Sequence, residues 1–196
     1  FILFFMNNGR LYVKKVYDIP EGSRISKGRA INNLLEIQKG EKIAAMICVE
    51  AFEEDGTRLV FCTKKGIVKK TSLFDYKNFR RMGTKGINID EDDELLTVRR
   101  TRGDDTLILV TRSGQSVRFH EDDLRKQGRV TRGVIGIRFK GKDEVKAMEV
   151  VDPESTLLMA GTNGMGKRTV FDEYRVQKRG GTGIIAMKTR IVAGAL

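Results

Sequence analysis

The chain has 196 residues, of which 40% are hydrophobic and 32% are charged, a balance typical of a folded globular protein and not of a disordered one. It has no apolar run of about 18 residues, so a membrane-spanning helix is not expected, and the opening FILFF is too short for a signal peptide. The 37 basic residues outnumber the 26 acidic residues, giving a net charge of +11, which favours a polyanionic partner.

The sequence repeats four times, and each copy carries two glycines at similar offsets. The first glycine follows an apolar run and marks a hairpin turn, in FFMNNGRLYV, VFCTKKGIVKKT, LVTRSGQSVRF and MAGTNGMGKRT at Gly9, Gly66, Gly114 and Gly164. The second glycine follows about 20 residues later, at Gly28, Gly86, Gly136 and Gly183. The repeats run approximately over residues 1–56, 57–105, 106–155 and 156–196.

Each repeat predicts four short strands. In the second repeat, residues 58–63 and 67–72 form a hairpin about KKG, and residues 87–89 and 94–101 supply the third and fourth strands. No segment has a sustained helical period, so we expect little helix. Four strands per unit of about 50 residues is typical of a propeller blade. The prediction is one all-β domain over residues 1–196, with about four four-stranded antiparallel blades.

Two cysteines, Cys48 and Cys62, are too few for a disulfide framework. Each lies in an apolar run, which predicts buried thiols in a reducing cytoplasm. The aromatic side chains also fall in predicted strands, as expected of core residues, and this disfavours a platform on which single-stranded bases stack; examples are Phe61, Phe74, Phe119 and Phe171.

Positive charge recurs at one place in each repeat, between the first glycine and the third strand. The segments 10–31, 67–89, 115–139 and 165–187 carry +4, +5, +3 and +3, and the rest of the chain carries −4. This recurrence predicts a cationic track along one rim, although a hydrophilic rim without a partner is the alternative. Duplex DNA carries one charge per roughly 1.7 Å and suits such a track. No recognition helix or zinc spacing indicates sequence-specific reading.

Three features come close to a catalytic or metal-binding motif without matching one. GTNGMGKR, residues 161–168, has the glycines and lysine of a phosphate-binding loop, but Arg168 takes the place of the required hydroxyl, so we expect a hairpin. The acidic run at residues 90–94 lacks the spaced ligands of a calcium loop. The only histidine, His120, lies beside three acids in a predicted exposed linker. We therefore expect no catalytic residue, no metal site and no cofactor.

Several long segments resemble the carboxy-terminal domain of the A subunit of bacterial DNA gyrase, and together they cover nearly the whole chain: ILFFMNNGRLYVKKVYDIPEGSR, GEKIAAMICVE, VFCTKKGIVKKTSL, GINIDEDDELLTVR and TNGMGKRTVFDEYRVQKRGGTGI. The resemblance implies a β-pinwheel, a propeller-like spiral that usually has five or six blades, of which this chain is a partial copy. In that family the rim binds double-stranded DNA and bends it with right-handed chirality, which biases the enzyme toward negative supercoiling.

The resemblance also implies where chemistry takes place. The family's cleavage tyrosine and Mg²⁺ site lie in the amino-terminal part of the A protein, whereas the B protein binds ATP. The parent enzyme is a cytoplasmic heterotetramer of two A and two B subunits. We therefore expect this domain to be non-catalytic, free of cofactors and monomeric when isolated.

A box-like loop, QKRGGTG, resembles the family's Q-R-R-G-G-K/R-G hallmark. Here it lies in the last repeat and not the first, with Lys178 in place of an arginine and Thr182 in place of a cation. We interpret it as a degenerate copy that contacts DNA through backbone amides, Lys178 and Arg179; a purely conformational turn is the alternative. The loop comprises Gln177, Lys178, Arg179, Gly180, Gly181, Thr182 and Gly183. The chain then departs from the family, and we expect a missing loop between Lys188 and Ile191.

The predicted DNA-binding residues are the cations of the four basic segments: Lys14, Lys15, Arg24, Lys27, Lys69, Lys70, Arg80, Arg81, Lys85, Arg118, Arg125, Arg129, Arg132, Arg138, Lys167, Arg168, Arg175, Lys178 and Arg179. Two alternative functions stay open. One is the equivalent domain of topoisomerase IV, which usually lacks a box-like sequence. The other is a basic propeller that docks an acidic protein.

Overall fold

The computed structural model describes residues 1–188 and the strand at 192–195, and short antiparallel strands dominate it. The fifteen strands in this part of the chain are β1 Ile2–Met6, β2 Arg10–Lys14, β3 Ile43–Cys48, β4 Arg58–Thr63, β5 Ile67–Ser72, β6 Thr84–Lys85, β7 Leu95–Thr101, β8 Thr106–Thr111, β9 Gln115–His120, β10 Val134–Ile135, β11 Val145–Val150, β12 Thr156–Gly161, β13 Gly166–Val170, β14 Ile184–Ile185 and β15 Val192–Ala195.

The helical structure in the described residues consists of five short 3-10 turns, which confirms the prediction of low helix content. They are Val16–Asp18, Ile31–Asn33, Leu73–Tyr76, Glu121–Asp123 and Phe171–Glu173. Phe74 and Phe171 lie in two of these turns and not in strands as predicted, although Phe171 is buried. Within the described residues, no helix has the length and apolar character that a bilayer crossing requires. The predicted missing loop between Lys188 and Ile191 falls outside the described residues.

The strands form four antiparallel sheets, which confirms the four-bladed all-β architecture. Three sheets have four strands, in the orders β3-β1-β2-β6, β10-β5-β4-β7 and β11-β8-β9-β14, and the fourth sheet has β13-β12-β15 among the described residues. The hairpin of the second repeat has its strands where the sequence predicted, at residues 58–63 and 67–72. The turn glycines of the four hairpins have positive φ, as Gly66 does at 79°, which explains why glycine marks each hairpin.

In the second, third and fourth repeats, the third strand belongs to the blade of the preceding repeat. β6 pairs with β2, β10 pairs with β5, and β14 pairs with β9. The prediction that each sequence repeat forms one blade is therefore wrong. The exchanged strands are only two residues long and begin earlier than predicted: residues 84–85 pair, whereas the predicted strand was residues 87–89.

Three glycines spaced by fifty residues make this exchange possible. Gly83, Gly133 and Gly183 each precede an exchanged strand and have φ of 88°, 106° and 78°. A Cβ at Gly133 would lie 2.5 Å from the carbonyl oxygen of Val68, and one at Gly183 would lie 2.4 Å from that of Ser116. The matching of Gly183 with Gly86 and Gly136 in the sequence analysis was therefore wrong by three residues.

The core lies between the blades. In β4, Leu59 and Phe61 pack toward the first blade, whereas Val60 and Cys62 pack toward the third. Because both faces of the strand are covered, it has no polar alternation. Cys62 is buried as predicted, but the prediction for Cys48 was wrong: it is exposed at the end of β3, the edge strand of the first sheet.

The long fourth strands lie side by side at the inner edges of the blades. β3 packs beside β7, β7 beside β11, and β11 beside β15. In the first three sheets the exchanged strand occupies the opposite edge. The exchanged strands and the residues that lead to them therefore lie on the outer rim, where the sequence analysis placed the recurring positive charge.

Candidate nucleic-acid interface

Three crossing segments run along the outer rim. We define them as residues 77–83, 125–133 and 175–183; each leads from a 3-10 turn to an exchanged strand. The last two are fixed to the preceding blade by equivalent bonds, from the Gln127 N–H to the Lys70 carbonyl (2.8 Å) and from the Gln177 N–H to the Arg118 carbonyl (2.7 Å). The repeat of one bond at two junctions places the crossing segments in register around the rim.

Residues just after one crossing segment also contact the next crossing segment. The Asn88 N–H of the second repeat donates to the Thr131 carbonyl (3.0 Å) in the crossing segment of the third repeat. The Gly180 N–H donates to the Gly136 carbonyl (2.6 Å), and the Arg138 N–H donates to the Gly181 carbonyl (2.9 Å). The crossing segments therefore form one continuous surface that extends over several blades.

Most of the predicted cations of these three repeats are exposed on this surface. They extend from the second to the fourth repeat and comprise Arg80, Arg81, Lys85, Arg125, Arg132, Arg138, Arg175 and Lys178. We call these eight side chains the rim track. Arg138 also donates a hydrogen bond to the Gly180 carbonyl. The arrangement can present a row of cations to a long polyanion.

The box-like loop is held mainly by hydrogen bonds to the preceding repeat. Gly180 is buried with φ of 76°, and its N–H is already bonded to Gly136. Arg179 is half-buried and donates to the Asp123 carbonyl (2.8 Å) and the Ile135 carbonyl (3.1 Å). Lys178 is the accessible cation, with its side chain 89% exposed. The predicted approach of the Gly180 amide to phosphate is therefore wrong, whereas the conformational alternative describes this glycine well.

Lys69 lies inside the protein, and the prediction that it contacts DNA is wrong. Its side chain is fully buried, and its Nζ donates to the carbonyls of Gly86 (2.8 Å) and Arg129 (2.7 Å). The ammonium also lies 4.8 Å from the centre of the Phe61 ring. Burial lowers the pKa of Lys69 to about 7, because a charged amine is disfavoured away from water. The lysine therefore joins Gly86, just after the first crossing segment, to Arg129 in the second, and it does not face solvent.

Lys70 and Arg118 are also turned inward, so their assignment to the DNA surface is wrong. Lys70 is 7% exposed; its Nζ donates to the Glu121 carbonyl (2.8 Å) and lies 3.4 Å from the Glu121 carboxylate. Arg118, at the equivalent place 48 residues later, donates to the carbonyls of Phe171 (2.7 Å) and Tyr174 (3.2 Å). Both cations bind the 3-10 turn of the following repeat, which buries Lys70 and partly covers Arg118.

The remaining predicted cations lie apart from the rim track or are partly covered. Lys15, Arg24 and Lys27 are exposed in a stretch that pairs with no sheet among the described residues, and Lys14 is half-buried. Lys167 and Arg168 are exposed on β13 of the last blade, and Arg129 is half-buried, with a bond to the Asn78 carbonyl (3.1 Å). The structure therefore does not bring the cations of the first repeat into the track.

Two exposed cations of the crossing segments were not predicted, Lys77 and Lys126. Lys126 lies in the second crossing segment next to Arg125, and its backbone bridges Lys70 as Val176 bridges Arg118. The signal that could have found both is their position, because each lies within a segment of recurring positive charge, residues 67–89 or 115–139.

The features that came close to catalytic motifs have structural roles. Residues 161–168 form the β12–β13 hairpin, as predicted, with the Gly164 N–H on the Gly161 carbonyl (3.0 Å). In the acidic run, Asp93 accepts a bond from the Lys65 N–H (3.0 Å). His120 ends β9 and is not in a linker, although its side chain is 43% exposed. Residues 1–188 contain no cluster of three His, Cys, Asp or Glu side chains placed to hold a metal ion.

Known proteins resemble this chain closely. The DNA gyrase A subunit of Clostridium acetobutylicum is 49% identical over 195 residues, which cover 100% of this chain and 23% of that protein. The DNA gyrase A subunit of Mycolicibacterium smegmatis is 42% identical, again over 100% of this chain and 23% of the relative. The chain therefore spans about a quarter of the length of the curated relatives it matches.

Solved structures share the architecture. The crystal structure of the C-terminal domain of DNA topoisomerase IV has a TM-score of 0.91 at 27% identity and covers 100% of this chain and 62% of that chain. The structure of the DNA gyrase A C-terminal domain has a TM-score of 0.82 at 24% identity and covers 100% and 64%; at this identity the likeness concerns the fold alone.

The family description "DNA gyrase C-terminal domain, beta-propeller" matches residues 1–50, 57–102, 105–152 and 155–190. These four segments follow the four sequence repeats and make up most of the chain. With the gyrase relatives at above 40% identity, they confirm the resemblance stated from the sequence: the chain belongs to the DNA gyrase C-terminal domain family.

Proposed function

We propose that this domain binds double-stranded DNA along the rim track without reading its sequence, and wraps the duplex around the blades. The observation that carries the proposal is the continuity of the three crossing segments, which places cations from successive repeats on one outer surface. A curved row of cations matches a bent phosphate backbone, because each cation neutralises phosphate and releases counterions. Bending 20–30 base pairs by 40–90° costs about 1–6 kcal/mol, which several such contacts offset.

Within the parent enzyme, the proposed role is to set the direction of strand passage. Wrapping with right-handed chirality would present a second DNA segment to the catalytic core and favour ATP-dependent negative supercoiling. The relatives named as DNA gyrase A subunits support this role. The domain alone would not catalyse a reaction; its partner would be DNA, within an assembled enzyme of two A and two B subunits.

The first test measures the salt dependence of duplex binding. If about four to eight phosphates are neutralised, the slope of log affinity against log salt should be about −4 to −7. Arg125→Ala and Arg175→Ala remove exposed track cations, and each should make the slope less negative by about 1. Arg102→Ala is the matched control, since Arg102 is exposed in the turn after β7 at the inner edge. A slope near zero for the unaltered chain would refute DNA binding by the track.

The second test measures wrapping. Nicked circular DNA is ligated with increasing protein, and the linking number of the product is read on a gel. We expect a positive shift that grows with the amount of bound domain. Binding without any shift at saturating protein would mean that the duplex touches the rim without wrapping.

A topoisomerase IV-type role is the second candidate, favoured by the TM-score of 0.91 to that domain. The sequence relatives named as DNA gyrase A subunits and the box-like loop favour the gyrase role. Binding without a shift in linking number would favour the topoisomerase IV-type role. The remaining alternative, docking of an acidic protein, predicts that polyglutamate displaces the domain from duplex DNA at equal charge concentration.

A further inference from the structure

Three cations of the rim track are paired with carboxylates, and each pair joins a crossing segment to the preceding repeat. In the first pair the Arg81 Nε lies 2.8 Å from Glu36, and in the second the Arg132 Nη2 lies 2.7 Å from Asp90. In the third the Lys178 Nζ lies 2.7 Å from Asp123. The three pairs therefore place negative charge at intervals on a surface that is otherwise basic.

In each pair the cation is the more exposed partner. The Lys178 side chain is 89% exposed, whereas the Asp123 side chain is 16% exposed. Arg81 is likewise the more exposed member of its pair. Arg132 donates from Nε and Nη2 to both oxygens of Asp90, and this hydrogen bonding lowers the pKa of Asp90. Asp90 is therefore held in its ionised form, and in each pair a phosphate that reaches the cation meets the carboxylate beside it.

We propose that these three carboxylates compete with DNA phosphate for the track cations, so that each contact exchanges one anion for another. The inference rests on the proposed function and adds to it that the acids Glu36, Asp90 and Asp123 limit the grip of the rim. A track of this kind holds the duplex along its length while each contact is easily broken.

The size of the effect follows from the exposure of the pairs. An exposed ion pair favours its closed state by a factor of about two to five. Phosphate must displace the carboxylate before it binds the cation, and the displaced carboxylate stays nearby and repels it. Replacing one acid by its neutral isostere should therefore raise duplex affinity about two- to fivefold beyond the general effect of removing one negative charge.

The experiment compares Asp90→Asn and Asp123→Asn with Asp104→Asn in duplex-binding titrations at one salt concentration. Asp104 is exposed in the turn between β7 and β8, away from the crossing segments, and its replacement changes the net charge equally. Circular dichroism confirms that all three variants are folded. We expect both track variants to bind more tightly than the control. If neither exceeds the control while the unaltered chain binds duplex, this inference is wrong and the proposed function stands.

A double-mutant cycle tests the pairing itself. Lys178→Met is made in the unaltered chain and in the Asp123→Asn variant. If Asp123 occupies Lys178, the loss of Lys178 should reduce affinity more in the Asp123→Asn background, by the same two- to fivefold factor. Equal losses in both backgrounds would overturn the inference. If the unaltered chain does not bind duplex at all, the proposed function fails, and this inference fails with it.

Discussion

Replacement of Gly133 by alanine tests whether close backbone approach holds the exchanged strands in place. Gly133 has φ of 106°, and a Cβ there would lie 2.5 Å from the Val68 carbonyl oxygen and 3.1 Å from side-chain atoms of Ile67 and Lys69. The positive φ costs an L-residue about 1–2 kcal/mol, and overpacking against a backbone atom adds about 1–3 kcal/mol. We expect Gly133→Ala to lower the free energy of unfolding by about 2–5 kcal/mol.

Two other glycines of the same repeat separate the terms. Gly141 has φ of 85° but nothing within 4 Å of an added Cβ, so Gly141→Ala should lose only the conformational part, about 1–2 kcal/mol. Gly128 has open space and no positive φ, so Gly128→Ala should be neutral or stabilising by up to about 1 kcal/mol. Urea denaturation of the three variants measures these values. If Gly133→Ala loses no more than Gly141→Ala, close approach does not secure the exchange.

Three further predictions concern buried groups. The pKa of Lys69 is about 7 in the folded chain and about 10.4 in the unfolded chain, so the unfolded chain binds more protons between these two pH values. The free energy of unfolding should therefore rise with pH in this range, by up to about 1.4 kcal/mol per pH unit. Urea denaturation of Lys69→Met should show a flatter rise. Lys70→Met leaves the buried Glu121 carboxylate unpaired and should lower the free energy of unfolding by roughly 3–5 kcal/mol. Addition of Glu121→Leu should restore most of this loss, and additive losses in the double variant would contradict the prediction. Burial raises the pKa of the Cys62 thiol, so a thiol reagent should label exposed Cys48 in the folded chain and Cys62 only after denaturation.

The sequence predicted the hairpins well because their turns carry a local signal. Gly66 has a φ that glycine adopts readily, and the flanking runs are rich in β-formers, so residues 58–63 and 67–72 could be bounded without tertiary information. The exchanged strands carry no such signal. Each has two residues, as in residues 84–85, and its partner lies in another repeat. Pairing of this kind depends on how blades pack, and a repeat viewed alone cannot reveal it.

The same limit explains the errors among the site residues. In β5 the letters IVKKTS suggest a half-exposed strand with lysines in solvent, yet all six residues are buried. The crossing segment of the following repeat covers them, and the lysines meet carbonyl groups there, as Lys69 meets Gly86 and Arg129. Arg125 and Arg175 could be predicted as exposed because they lie in the crossing segments themselves, which nothing in the described structure covers.

The division of positive charge within a repeat has a structural reason. A crossing segment is displaced onto the preceding blade, where short strands supply few backbone bonds to hold it. Inward cations add bonds at the 3-10 turn before the crossing: Lys70 binds the Glu121 carbonyl, and Arg118 binds that of Phe171. A cation bound to carbonyl oxygens also makes a stronger hydrogen bond than a neutral donor. The inward cations therefore position the segments on which the exposed cations lie. They contribute to the proposed DNA surface through the backbone that they hold, and a count of charge along the sequence cannot distinguish the two kinds of cation.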